Sequence, residues 1–109
     1  MAPYREAALA IAAAMIRDLA DEPSGAFWDR TPDPAAAGVF ARRTKTFGPN
    51  VAAARFLAAL SRVTGDASWK ERARRTLAAA CTPRALEERG RLLGEVLLAL
   101  DEAGAIPWP

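Results

Sequence analysis

Alanine is the feature that most limits what this chain can fold into. It fills 27 of the 109 positions, and alanine is the best helix former but a poor strand residue. Strand-favouring tyrosine occurs once in the whole chain. A chain of this length can bury one core but not two, so the sequence predicts a single all-α domain over residues 1–109.

Two residue types that carry much enzyme chemistry are scarce. The chain has no histidine, and Cys81 is its single cysteine. This composition excludes histidine-based catalytic triads, the usual zinc sites and an internal disulfide. We therefore predict no catalytic residues, no metal site and no cofactor. No stretch approaches the roughly 18 apolar residues of a membrane span, so a cytoplasmic location without a membrane partner is expected.

Apolar periodicity and capping signals predict four helices. They cover residues 4–20, 49–63, 67–81 and 84–103. Thr64-Gly65-Asp66 separates the second and third helices, and Thr82-Pro83 supplies a cap and a first-turn proline for the fourth. We expect two antiparallel α/α-hairpins, with a short irregular β-hairpin-like excursion between helices 1 and 2.

The same periodicity predicts which residues form the core. The expected inner positions are Tyr4, Ala8, Ile11, Met15 and Leu19 in helix 1, Ala53, Phe56, Leu57, Leu60 and Val63 in helix 2, Trp69, Ala73, Leu77 and Ala80 in helix 3, and Leu86, Gly90, Leu93, Leu97, Leu100 and Gly104 in helix 4. Gly90-x-x-x-Gly94 predicts the close approach of a neighbouring helix.

Charge is distributed unevenly along the chain. Residues 1–39 carry 3 basic and 6 acidic groups, residues 40–75 carry 9 and 2, and residues 76–109 carry 3 and 5. A basic middle segment could attract an anionic ligand or nucleic acid. The alternative is a solvated helical face supported by pairs four residues apart, such as Asp66 and Lys70. We favour the solvated face and do not expect a nucleic-acid partner.

Several motifs occur in an order typical of one protein family. They are Gly25-x-Phe27-Trp28-Asp29, Arg43-x-Lys45, Asn50 at the start of a helix, Leu57-x-x-Leu60-x-x-x-Thr64-Gly65-Asp66-x-x-Trp69, and Leu97-Leu98-Ala99-Leu100-Asp101. Together they resemble the C-terminal part of the bacterial thioredoxin-domain-containing proteins related to the spermatogenesis-associated protein. The resemblance implies part of an (α/α)6 toroid similar to the six-hairpin glycosidases, with about two of the six hairpins present.

The resemblance also points to a ligand site. It implies that Asn50 contacts a sugar-like or anionic small molecule, beside Arg43, Lys45, Trp28 and Asp29. Local chemistry offers a structural alternative for three of these residues: a helix cap for Asn50, core packing for Trp28 and turn capping for Asp29. Many relatives have an acidic residue just before the asparagine, where this chain has residues 46–49, Thr-Phe-Gly-Pro.

Three functions follow from these observations. The first is a non-catalytic interaction or structural module, resembling a separated segment of the toroid, whose open flank is covered by a second copy or by a partner chain. The second is a carbohydrate-active domain of the epimerase or glycosidase type that acts only with a partner chain. The third is a binder of an anionic ligand. We expect the first, with a homodimer formed through helix 1 or helix 4.

Overall fold

The computed structural model describes residues 2–38, 42–88 and 93–105. Five helices occur within these ranges: α1 (Ala2–Leu19), α2 (Phe47–Thr64), α3 (Ala67–Ala80), α4 (Pro83–Glu88) and α5 (Leu93–Glu102). The prediction of an all-α fold is confirmed. The helix predicted over 84–103 corresponds to α4 and α5, and residues 89–92 between them lie outside the described residues.

The capping signals in the sequence set the helix ends. Gly65 ends α2 in the left-handed conformation, with φ 75°. Asp66 caps α3 by accepting a hydrogen bond from the Ser68 amide at 2.9 Å. Thr82 does the same for α4, since its hydroxyl accepts from the Ala85 amide at 3.1 Å. The predicted boundaries at residues 64–66 and 82–83 are therefore confirmed.

The central element of the fold is α2, which contacts α1, α3 and α5. Its most extensive contact is with α3, to which the Gly65-Asp66 turn joins it, and the next is with α5. The predicted pairing of helix 1 with helix 2 and of helix 3 with helix 4 is not confirmed. The molecule is a flattened body of 48 × 38 × 23 Å.

The core lies between α2, α3 and α5, and the middle and second half of α1 and the segment around Phe27 pack against it. Its buried apolar residues are Ala12, Ala26, Phe27, Phe47, Val51, Ala54, Leu57, Ala58, Leu60, Ala73, Leu77, Val96, Ala99 and Ala103. Alanine occupies seven of these positions, and small side chains let helix axes approach closely.

The predicted inner face of α5 is wrong at Leu97, which is 50% exposed, and right at Leu100, which is partly buried and packs against the core. The fully buried residues are Val96, Ala99 and Ala103. They follow the predicted steps of three and four, one position earlier in the chain. Gly94 is exposed, and a Cβ placed on it would have no neighbour within 4 Å. The predicted close helix approach is therefore wrong at Gly94, and Gly90 lies outside the described residues.

The outer parts of two predicted stripes are also solvent-exposed. On α1, Tyr4 is 77% and Ile11 is 56% exposed, and Ala12 is the fully buried residue instead. On α2, Val63 is 62% exposed. These helices are rich in apolar residues on several sides, so periodicity alone selected a face that lies partly outside the core.

The predicted β-hairpin-like excursion is not confirmed. Among the described residues there is a single isolated antiparallel bridge, between Ala20 and Phe27. A further backbone hydrogen bond, from the Asp29 amide to the Thr44 carbonyl at 2.8 Å, links two distant parts of the segment. Residues 39–41 lie outside the described residues.

Candidate functional site

A tight turn at residues 21–25 leads from α1 to the segment that holds the predicted site. The Gly25 amide donates to the Asp21 carbonyl at 2.8 Å, and Gly25 has a φ of +86°. A Cβ on Gly25 would lie 2.9 Å from the Cβ of Arg75. The buried Thr76 hydroxyl donates to the Gly25 carbonyl at 2.8 Å. The turn is therefore fixed to α3 by close contact and by a hydrogen bond.

Asn50 holds the next part of this segment against α2. It is 3% exposed, and its Oδ1 accepts from the Phe27 amide at 2.7 Å. Its Nδ2 donates to the carbonyls of Phe27 and Thr46, at 3.0 and 2.8 Å. The hydrogen bonds of the Ala20–Phe27 bridge run through the residues on either side, from Trp28 to Leu19 and from Asp21 to Ala26. Both backbone polar groups of Phe27 are thus paired by the Asn50 side chain.

Asn50 is therefore neither a helix cap nor an open ligand group. Thr46 is the N-cap residue of α2, with no side-chain capping hydrogen bond, and Asn50 lies inside the first turn. Its amide donates both of its hydrogens within the chain. A ligand at this position would have to displace one of these buried hydrogen bonds.

Trp28 is the centre of a small group of charges. The Arg43 guanidinium and the Lys45 ammonium each lie 4.5 Å from the centroid of its rings, within the range of a cation–π interaction. Lys45 also forms an ion pair with Asp21 at 2.6 Å. Trp28 itself is half-buried.

Asp29 joins the two ends of the excursion. Its carboxylate accepts from the Thr44 amide at 3.1 Å and from the Thr44 hydroxyl at 3.0 Å. The nearby Asp33 accepts from the Ala35 amide at 2.9 Å. Asp33 thus binds an amide two residues on, as a turn-capping residue does. Asp29 binds a residue 15 positions away, so the turn-capping interpretation is wrong for Asp29.

The structure brings the five predicted site residues into one region, next to the first turn of α2. Their polar groups, however, are directed at each other or at neighbouring backbone groups. A cavity of about 250 Å³ borders this region, lined by Ser24, Ala26, Lys45, Phe47, Asn50, Ala79, Ala80, Thr82 and Ala85.

The acidic groups around the turn are held in their charged forms. The hydrogen bond from Lys45 lowers the pKa of Asp21, and the backbone hydrogen bond from Thr44 lowers that of Asp29. The hydrogen bond from Arg72 lowers the pKa of Glu22. A general acid or base works best with a pKa near the working pH, so the ionisation of these carboxylates does not favour proton transfer.

Some basic residues of the middle segment bind the acidic segments on either side of it. Arg72 binds Glu22 at 2.9 Å, and Arg55 binds Glu102 at 2.7 Å. Arg75 donates to the Glu22 carbonyl. Three basic residues of this segment, Lys45, Arg55 and Arg72, thus form ion pairs between distant parts of the described chain.

A second cavity has a different chemistry. It is an open groove of about 520 Å³ between the first part of α1 and the second half of α2. Tyr4, Arg5, Ala8, Phe56, Ala59, Leu60 and Val63 line it. Six of these seven side chains are mainly apolar, and Tyr4 and Val63 are mostly exposed. We call this surface the α1–α2 groove.

No family model, curated protein or solved structure matches the chain. None of the helices in the described part of the chain is long and apolar enough to cross a membrane. The described residues also contain no group of three or more acidic or cysteine side chains arranged to hold a metal ion.

Sequence reasoning missed the residues that anchor the turn and the surface that the fold leaves open. Thr76 lies between the predicted inner positions Ala73 and Leu77, so its place on the buried face could have been read from the spacing. The α1–α2 groove was harder to foresee, because periodicity places Phe56 and Val63 in the core. Phe56 does pack against the core, but it is only partly buried, and Val63 is 62% exposed. A second apolar stripe on α2 was the available signal.

Proposed function

We propose that this chain is a non-catalytic helical interaction module, which binds an apolar helix of another polypeptide in the α1–α2 groove. The observation that carries the proposal is the groove itself. It is exposed, apolar and formed by two helices, and exposed apolar patches of this kind mark interaction sites. A helix laid along a groove between helices is a common mode of recognition.

The arrangement of the predicted ligand residues supports the same choice. The side chains of Asn50, Asp29 and Lys45 already hold the segment between α1 and α2 in place. A sugar-like or anionic ligand would compete with these contacts, whereas a helix in the groove would compete only with water. The resemblance to the toroid family agrees with the proposal, because α/α-hairpins in a toroid are covered by their neighbours.

Site-specific photo-crosslinking tests the proposal. Val63, in the groove, is replaced by p-benzoylphenylalanine, and Leu98, which is similarly exposed but lies on α5, serves as the control. After irradiation in the cells that express the protein, adducts are mapped by mass spectrometry. We expect position 63 to give an adduct with a defined helical segment that position 98 does not give. No adduct, or the same adducts at both positions, would overturn the proposal.

A further inference from the structure

The α1–α2 groove has an arginine on each side. Arg5 of α1 lines it on one side. On the other side, Arg62 adjoins Val63 in the last turn of α2 and is exposed. Arg62 follows Arg55 by seven residues, so it lies on the side of α2 where Arg55 binds Glu102 of α5. No acidic side chain is among the described residues that line the groove, so its apolar floor is bordered by positive charge.

The two bordering arginines have no acidic partner. Lys45, Arg55 and Arg72 each form an ion pair with an acidic residue far away in the sequence. In contrast, neither Arg5 nor Arg62 forms an ion pair or a side-chain hydrogen bond within the part of the chain that the structure describes. An arginine side chain carries five N–H donors in a fixed fork that fits a carboxylate. Both guanidinium groups are therefore available to a binding partner.

The floor of the groove has the spacing of a helix-packing seam. Its stripe runs through Ala52, Phe56, Ala59 and Val63, at steps of four, three and four. A helix that packs on such a seam has a matching apolar stripe, and the residues that flank this stripe lie next to the charged residues that flank the seam. Carboxylates at those flanking positions would pair with the two arginines.

A different exposed apolar surface, on α5, carries acidic residues instead. Leu97 and Leu98 are 50% and 53% exposed. Asp101 follows them by four and three residues and so lies on the same face, and Glu95 is exposed on the same helix. A helix with acidic flanks is attracted to the groove and repelled by this surface of α5. Charge thus distinguishes two apolar surfaces that are similarly exposed.

A second copy of α2 does not have this complementary charge. Two α2 helices packed antiparallel along the seam would place Arg55 beside the partner's Arg62. Like charges set against each other across an interface disfavour that pairing. The matching helix therefore carries acidic residues where α2 carries arginines.

We infer that the α1–α2 groove binds an acidic amphipathic helix of a different protein. Its apolar stripe packs on Phe56, Ala59 and Val63, and its flanking carboxylates bind Arg5 and Arg62. This inference rests on the proposed function, since it names the chemical class of the helix that the groove binds. The apolar floor supplies affinity for a helix, and the two arginines select which helix binds.

Selection from a display library of helices tests the charge of the partner. The library presents helices of about three heptads with a fixed leucine and alanine stripe, and with Glu, Gln or Lys at the flanking positions. It is panned on the immobilised full chain. The Ala59→Gln variant fills the middle of the groove with an uncharged polar side chain, so it identifies helices that bind elsewhere. We expect the helices that bind the wild type but not Ala59→Gln to carry Glu at their flanks.

Charge exchange between the chain and a selected Glu-flanked helix tests the two arginines directly. Arg5→Glu and Arg62→Glu should each raise the Kd of the labelled helix about three- to tenfold by fluorescence anisotropy, because each replaces an exposed ion pair by a repulsion. The double variant R5E/R62E should raise it about ten- to a hundredfold. The same helix with Lys at its flanks should bind the double variant more tightly than the wild type.

Arg84→Glu is the matched control, because it changes the net charge equally on α4, where the side chain is 88% exposed. It should leave the Kd of the Glu-flanked helix within about twofold of the wild type, as for a surface charge outside an interface. Circular dichroism confirms that every variant is folded.

Two results would overturn the acidic-helix proposal. One is a set of selected helices that Ala59→Gln does not bind but whose flanks are neutral or basic. The other is a double variant R5E/R62E that raises the Kd no more than Arg84→Glu does. Either result would leave the interaction module in place, because the groove would still bind a helix. A selection that yields no helix lost with Ala59→Gln would refute both proposals.

Discussion

Replacing Asn50 with alanine removes the side chain that pairs both backbone groups of Phe27. The Phe27 amide and carbonyl then lie buried without a partner, since Phe27 is 5% exposed. An unpaired buried polar group costs about 1–3 kcal/mol, so the loss is expected to be about 2–6 kcal/mol. A domain of this size is stable by about 5–15 kcal/mol. The substitution should therefore remove a large part of the stability of the fold.

Asn50→Asp separates the donor and acceptor roles of the same side chain. The aspartate can still accept from the Phe27 amide, but at neutral pH it has no hydrogen to donate to the carbonyls of Phe27 and Thr46. Those carbonyls and the burial of the group raise the pKa of the new carboxyl. Protonation at low pH supplies one donor, so the deficit of the variant relative to the wild type should shrink as the pH falls.

Urea denaturation followed by circular dichroism measures the free energy of unfolding of each variant. Asp29→Asn is the control, because the hydrogen bonds between Asp29 and Thr44 are exposed. It should lower the stability by less than about 1 kcal/mol, as the loss of a weak surface interaction does. An Asn50→Ala variant within about 0.5 kcal/mol of the wild type would refute the argument, since surface changes away from such features fall in that range. It would mean that water reaches the Phe27 backbone.

Three other perturbations test different parts of the structure by thermal or urea unfolding. Gly25→Ala should lower the stability by about 2–5 kcal/mol, because the cost of a left-handed alanine adds to the cost of a clash with α3. Gly65→Ala is also left-handed but lies in open space, so it should lower the stability by only about 1–2 kcal/mol. Equal losses would contradict the close approach at Gly25. Leu77→Ala should lower the stability by about 2–5 kcal/mol, whereas Leu97→Ala should lower it by less than about 1 kcal/mol, because Leu97 is half-exposed. The reverse order would show that Leu97 belongs to the core. Stability should fall as the pH drops below about 5. The pKa values of Asp21, Glu22, Asp29 and Asp66 are lowered in the folded state, so these carboxylates stabilise the fold above their unfolded pKa and lose that contribution as they are protonated. A urea midpoint that stays constant or rises from pH 5 to 3 would contradict this prediction.

The helix ends were predictable because local chemistry determines them. Gly65, Asp66 and Thr82 act through hydrogen bonds and backbone conformation within a few residues, which the sequence shows directly. The choice of inner face on α5 was less predictable. Leucines stand on several sides of that helix, whereas its fully buried positions carry the smaller residues Val96, Ala99 and Ala103.

The grouping of the candidate site residues was predicted, but not their use of hydrogen bonds. Asn50, Trp28 and Lys45 do lie close together. Which groups they bind depends on where residues 21–29 dock on α2 and α3, and that docking is a property of the whole fold. The α1–α2 groove was not predicted for a related reason. The sequence of α2 does not show how many other helices pack around it in the fold.

The pairing of the basic middle segment with its acidic neighbours has a consequence for the chain before it folds. The same order of charge, acidic, basic, acidic, is present in the denatured ensemble, where opposite blocks attract over distances that salt can screen. That attraction contracts the unfolded chain at low ionic strength and brings Glu22 and Glu102 towards the arginines they bind in the native state. Added salt then swells the denatured ensemble, so the dependence of unfolding free energy on urea concentration steepens as more surface becomes exposed.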